Sequence, residues 1–231
     1  MVDDTLTHRL EHRLGALLAA RRFGDREACE LHETETIQDA LAQRLPDMSQ
    51  DRTARAPRCV LMSAMPGAGK THLARLLVRH GLTRLCPDEE MWRRYGHYGR
   101  DFPRGEFRVR ERPVLDDLAV EVKKLLAKGR DVVFDHGFWT PEERAEWRTL
   151  VTEAGGFPLL VYLPVPHEVR WARIKERNQR ATVDANAIEF SEEDLMRFAG
   201  RFHPPTADEP HIVYNGQPES VLAELWDGGS R

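Results

Sequence analysis

Eight consecutive residues constrain this chain more than any others: Ala64-Met65-Pro66-Gly67-Ala68-Gly69-Lys70-Thr71. They fit the pattern G-x-x-x-x-G-K-[S/T], with Ala64 at the first glycine position. Gly67 and Gly69 permit backbone turns that other residues resist, so successive N–H groups can converge on one anion. The loop follows an apolar run, Cys59–Met65, and opens an amphipathic stretch, Thr71–His80, carrying Leu73, Leu76, Leu77 and Val78. A strand that feeds a glycine turn and then a helix aims the positive end of that helix at the same anion. The predicted phosphate cradle is Met65, Pro66, Gly67, Ala68, Gly69, Lys70, Thr71 and His72. Lys70 would reach the β- and γ-phosphates of a nucleoside triphosphate, and the Thr71 hydroxyl would bind Mg²⁺.

The pattern around the loop predicts the fold class. From Arg58 onward, apolar runs at Cys59–Met65, Thr83–Cys86, Asp131–Phe134, Leu159–Leu163 and His211–Tyr214 alternate with amphipathic helical stretches. Those stretches include Val114–Lys128, Pro141–Ala154, His167–Arg177, Ser191–Phe202 and Glu219–Trp226. Such alternation reads as an α/β domain with a mainly parallel sheet of five strands. Ligands of such sheets sit at the carboxyl ends of the strands. Residues 1–57 read as a separate helical extension and linker. Leu10, Leu14, Leu17 and Leu18 share one helical face, as do Ile37, Leu41 and Leu45, and a polar stretch beginning at Pro46 joins them to the domain at 58–231. That extension is expected to act as a packing appendage or as the arm of a homodimer.

Composition excludes several classes. The formal net charge of −4 argues against broad sequence-independent nucleic-acid binding. No run approaches the roughly 18 apolar residues that a membrane helix needs, and the acidic start Met1-Val2-Asp3-Asp4 has no apolar run behind it, so a signal peptide is not expected there. Cys29, Cys59 and Cys86 are odd in number and lack C-x-x-C spacing. A disulfide framework and a structural zinc site are therefore not expected, and a reducing cytoplasm fits. Of the 34 basic residues only five are lysine. Two arginine concentrations stand out, at 93–112 and 170–180.

Four segments in order carry a family resemblance: Met65–Thr71, then Cys86-Pro87-Asp88-Glu89, then Asp131-Val132-Val133-Phe134-Asp135, then Arg173–Arg180 followed by Phe202–Glu209. On these the domain resembles the small P-loop kinases. That group includes the kinase domain of polynucleotide kinases, chloramphenicol phosphotransferase and the zeta-toxin kinases. The resemblance implies a P-loop NTPase kinase-like fold, ATP and Mg²⁺ as cofactors, and transfer of the γ-phosphoryl group to a hydroxyl. It implies that Asp88 takes the proton of the acceptor hydroxyl, although Asp88 after Pro87 also reads as a helix N-cap. It places Asp135 beside Mg²⁺ or at the acceptor hydroxyl, and leaves open which of the two aspartates is the base. His136, beside Asp135, reads as structural. Arg173, Arg177 and Arg180 share one helix face, and Arg177 and Arg180 resemble the lid arginines that stabilise charge on the transferring group.

The basic and aromatic segment Trp92–Arg112 is expected to build the acceptor pocket, and Phe202–Glu209 to close the adenine side. Where polynucleotide kinases carry an arginine three residues after the aspartate, this chain has Met91. The expected acceptor is therefore a small molecule: an antibiotic, nucleoside, sugar or other metabolite. A polynucleotide 5′-hydroxyl kinase, a zeta-toxin-like kinase of nucleotide sugars and a regulatory ATPase are the alternatives.

Overall fold

The computed structural model describes residues 55–179, 185 and 188–227. The helices expected within 1–45, and with them the dimer arm, lie outside the described residues. So does Arg180.

Arg58–Ser63 (β1) is buried along its whole length, because it is the middle strand of the sheet. Val132–Gly137 (β3) pairs with it on one side and Phe157–Tyr162 (β4) on the other. Thr83–Leu85 (β2) and Ile212–Val213 (β5) complete the order β2-β3-β1-β4-β5, and all four pairings are parallel. Alternation along the strands divides the core between two faces. Val60, Met62, Val133, Leu159 and Val161 pack on one face with Leu73 and Leu77 of Lys70–Arg79 (α1) and with Val221 and Leu225 of the C-terminal helix. Cys59, Leu61, Val132, Phe134 and Leu160 pack on the other face with Val122, Leu126, Trp147 and Val151. Both faces are thus covered by helices, as an all-parallel sheet requires.

Pro87–Tyr95 (α2) follows β2, and Phe107–Ala127 (α3) leads into β3. Helix α3 begins seven residues before the expected Val114, even though Pro113 lies inside it. Proline has no N–H for the carbonyl four residues back. Here that residue is Val109, which is 78% exposed, so water can replace the missing donor. The Arg110–Glu106 and Arg112–Asp116 ion pairs and the Arg110 guanidinium over the Phe102 ring support the extra turns. Met91, Phe102 and Val114 form a small separate core there, flanked by Tyr95, Tyr98 and Phe107.

Pro141–Glu153 (α4) starts from a capping box in which Thr140 and Glu143 satisfy each other's backbone N–H. His167–Gln179 (α5), Glu192–Ala199 (α6) and Pro218–Asp227 (α7) complete the described elements. Helix α6 has its own capping box, Ser191 with Asp194.

Candidate active site

The glycine loop joins β1 to α1 as the sequence predicts, and its glycines are required. Gly67 has φ +79°, and a Cβ there would stand 2.7 Å from the Arg170 carbonyl oxygen on α5. Gly69 has φ +102° and is the N-cap of α1, but it offers no side-chain cap. Helices α4 and α6 spend their N-terminal donors on capping boxes and carry acidic residues in the first turn. Helix α1 has neither. Its positive end stays open for an external anion.

That end faces a cavity of about 1010 Å³. Among the predicted residues, Pro66, Gly67, Gly69, Lys70, Thr71, His72, Asp88, Arg173 and Arg177 line it. Met65 and Ala68 are buried behind the wall and act through the backbone: the Met65 carbonyl accepts from Ala68 N–H at 3.2 Å and from Lys70 Nζ at 3.5 Å. Burial pulls the Lys70 ammonium below its ordinary value, while Asp135 and Asp88 oppose that shift.

Asp88 lies inside the first turn of α2. The N-cap is Cys86 and Pro87 occupies the first helical position, so the reading of Asp88 as the cap is corrected. The proline fixes the turn two residues earlier than sequence reasoning placed it. The carboxyl of Asp88 is pushed up to about 6, chiefly by burial; Lys70 opposes the rise and the neighbouring Asp135 adds to it.

Asp135 does not end its strand. The pairing of β1 with β3 runs in step to Leu61–Phe134 and resumes at Met62–Gly137, so Asp135 and His136 occupy the irregular stretch between. Asp135 is only 3% exposed and does not line the cavity. Its Oδ2 accepts from both Nε and Nη2 of Arg84, at 2.9 and 2.7 Å, while Nη1 of Arg84 donates to Glu89 at 2.7 Å. The structure thus sets Asp135 close to Lys70 and Asp88, held by an arginine. His136 lines the cavity as a neutral ring, since burial and Lys70 bring it down to about 4.

Helix α5 brings its arginines to the loop. Arg173 Nη1 donates to the carbonyls of Gly67 at 3.2 Å and Ala68 at 3.4 Å. Arg177 Nη2 donates to the Ile188 carbonyl at 2.5 Å and lines the cavity beside Lys70. From the segment Trp92–Arg112 only Tyr98, Arg104, Gly105, Phe107, Arg108 and Glu111 reach the wall. Most of its other arginines are tied to carboxylates: Arg93 and Arg94 to Glu90, Arg100 to Asp101, and Arg110 to Glu106. No residue of Phe202–Glu209 lines the cavity. Glu209 instead receives Nε and Nη2 of the buried Arg144, whose Nη1 donates to the His203 carbonyl at 2.8 Å.

Sequence reasoning missed Glu111, Trp139 and the Asp194–Arg197 pair that Arg104 joins. Glu111 sits among arginines and aromatics that drew the reading elsewhere. Trp139 is placed by a long-range contact, Nε1–H donating to the Ala64 carbonyl at 3.2 Å. Asp194 carries a local signal, Ser191 three residues before it, that marks it only as a helix start.

Comparison with known proteins agrees with this geometry. A family model described as "AAA domain" matches residues 59–205. A shikimate kinase of Aromatoleum aromaticum is 33% identical over 171 residues, covering 72% of this chain and 91% of that protein. Two crystal structures share the fold. A candidate kinase of Chloroflexus aurantiacus has a TM-score of 0.60 at 17% identity, covering 77% of this chain and all of that one. Chaetomium thermophilum Kti12, in complex with ADP-AlF3, has a TM-score of 0.57 at 15% identity, covering 76% of this chain and all of that one. The chain belongs to this AAA-domain family of P-loop kinase-like proteins, and it is a nucleotide-binding kinase.

Proposed function

We propose that the protein transfers the γ-phosphoryl group of Mg·ATP to a hydroxyl of a small molecule. One observation carries the reading: the open N-terminus of α1, Lys70, Asp88 and the α5 arginines share the walls of one cavity. The donor set fits a triphosphate, because the loop offers uncapped N–H groups and a cation while its glycines keep side chains out. It also fits Mg²⁺ in the manner of such sites. Thr71 supplies one hydroxyl, and phosphate oxygens and water are the natural remaining ligands. Bound there, Mg²⁺ would neutralise charge on the phosphates.

The residues then divide the work. Lys70 and the loop amides hold the β- and γ-phosphates. Asp88 accepts the proton of the acceptor hydroxyl as its oxygen bonds to phosphorus and the bond to the β-phosphate oxygen breaks, giving ADP. With its carboxyl near 6, Asp88 is mostly ionised at neutral pH and is closer to the operating range than an ordinary aspartate. Arg173 and Arg177 cover the transferring group, with Arg180 expected to join them from outside the described residues. Met91 is buried in the small core beneath α2, so this position presents an apolar packing residue where polynucleotide kinases carry a guanidinium. That observation and the shikimate kinase relative both support a small acceptor over a nucleic acid. Among the described residues no helix is long and apolar enough to cross a membrane. A cytoplasmic site of action fits the buried Cys59 and Cys86, which form no disulfide among the described residues.

The test is a transfer screen with γ-labelled ATP across hydroxylated antibiotics, nucleosides, sugars, cyclitols and 5′-hydroxyl oligonucleotides, with Lys70→Ala as the control. The expected result is label in a small-molecule product, lowered at least about a hundredfold in the control. Label transferred only to oligonucleotides, or ATP hydrolysis that no acceptor accelerates, would overturn the reading.

A further inference from the structure

Among the described residues the cavity wall carries four carboxylates. Two are committed to protein partners. Glu143 Oε2 accepts from the N–H groups of Trp139 at 2.9 Å and Thr140 at 3.3 Å, closing the capping box of α4. Asp194 accepts from Ser191 N–H at 3.0 Å and holds both Arg104 and Arg197. The third, Asp88, is the base of the proposed reaction. The fourth is Glu111, half-buried in the second turn of α3. It forms no hydrogen bond or ion pair with another described residue.

A carboxyl group taken partly out of water and given no protein donor is a cost that folding does not account for. Helices α2 and α3 pack together, and this brings Glu111 to the same end of the cavity as Asp88. The two are near enough for the Asp88 charge to add to the effect of burial, which pushes Glu111 up to about 8.

We propose that Glu111 binds the acceptor: Asp88 and Glu111 together hold two neighbouring hydroxyls of a neutral cyclic polyol or sugar, the first positioned for transfer and the second fixed by Glu111. The inference rests on the kinase reading above. Three features select that chemical class. Tyr98 and Phe107, ring centroids 5.1 Å apart and edge to face, line the same wall and offer apolar surface to the C–H face of a saturated ring. The wall's eight lysine and arginine side chains outnumber its carboxylates, which disfavours a cationic acceptor. The ionised Asp88 disfavours an anionic group at the point of transfer. A hydroxyl is both donor and acceptor, so it serves Glu111 whether that group is ionised or protonated.

The experiment uses the full chain and γ-labelled ATP. Each sugar or cyclitol is paired with its deoxy analogue lacking the hydroxyl next to the phosphorylated one. The wild type is expected to prefer the diol by at least about tenfold in kcat/KM. Glu111→Gln should bring that ratio close to one, mainly by raising KM for the diol. Glu111→Asp should restore part of the ratio, and it carries the test if the glutamine variant does not fold. If the wild type transfers phosphoryl to a polyol but diol and deoxy partners react alike, the assignment of Glu111 is overturned and the kinase reading stands. The same holds if Glu111→Gln leaves the ratio intact. Transfer only to charged acceptors overturns the polyol class. If no hydroxyl of any kind is phosphorylated, the kinase reading falls and the inference falls with it.

Discussion

Replacing Asp88 by asparagine should stabilise the protein at alkaline pH while removing its activity. In the folded state the carboxyl is raised from 3.8 to about 6, chiefly because α2 buries it. A carboxyl raised on folding binds more protons in the folded than in the unfolded state, so stability is lost as pH rises between the two values. The contribution is fully present below about pH 4 and gone above about pH 6. The full shift corresponds to about 3 kcal/mol at 1.36 kcal/mol for each unit. Asp88 keeps some solvent contact where it lines the cavity, and screening there reduces the effect to about 1–3 kcal/mol. Asparagine keeps the shape and cannot ionise. The variant should therefore match the wild type near pH 4 and exceed it by about 1–3 kcal/mol at pH 8, or roughly 2–12 °C in Tm for a domain of this size. Urea unfolding of both proteins without nucleotide, at pH 4.5, 6 and 8, measures this directly, and phosphoryl transfer is measured on the same preparations. Asparagine has no basic oxygen to take the hydroxyl proton, so kcat should fall by about two to four orders of magnitude. A variant no more stable than the wild type at pH 8, or a difference that does not change with pH, would refute the buried-carboxylate argument. Near-normal turnover would refute the base.

Gly67→Ala places a methyl group 2.7 Å from the Arg170 carbonyl at a φ of +79°. It should cost about 1–3 kcal/mol in urea unfolding and weaken ADP binding measured by calorimetry; unchanged affinity would mean that the loop can shift without harm to the cradle. Arg144→Ala leaves Glu209 with only Arg148, at 3.7 Å, and frees the His203 carbonyl. The expected loss is about 3 kcal/mol, and a loss under about 1 kcal/mol would show that this ion pair does not anchor the segment 202–209.

The phosphate loop was legible because everything it needs is local: an apolar run, two glycines, Lys70 and Thr71 within a dozen residues. The strands were legible for the same reason, and their ends moved by only a few residues. Less was legible where side-chain contacts, and not the local pattern of breakers and apolar residues, decide the outcome. The start of α3 was misplaced because Pro113 is a strong local breaker, while the ion pairs and ring contacts that carry the helix through it reach back to Phe102 and Glu106. No local signal ties Asp135 to Arg84, 51 positions away in sequence. Nor does any local signal tie Glu209 to Arg144, 65 positions away.

The arginines show the same division most clearly. In the sequence the run at 93–112 resembles a basic face, yet its charges are largely matched on the spot by Glu90, Asp101, Glu106 and Asp116. The positive character of the cavity comes from Arg104 and Arg108 of that run together with side chains gathered from α1, α5 and α6 and from Arg201. Of those segments, only α5 and the start of α3 stand out as basic when read alone. A chain with a formal charge of −4 thus concentrates positive potential where a triphosphate would lie by pairing its other arginines elsewhere. It follows that the acceptor end, where the Asp88 charge interrupts that field beside a largely protonated Glu111, is the part of the cavity where a neutral ligand meets the least electrostatic penalty.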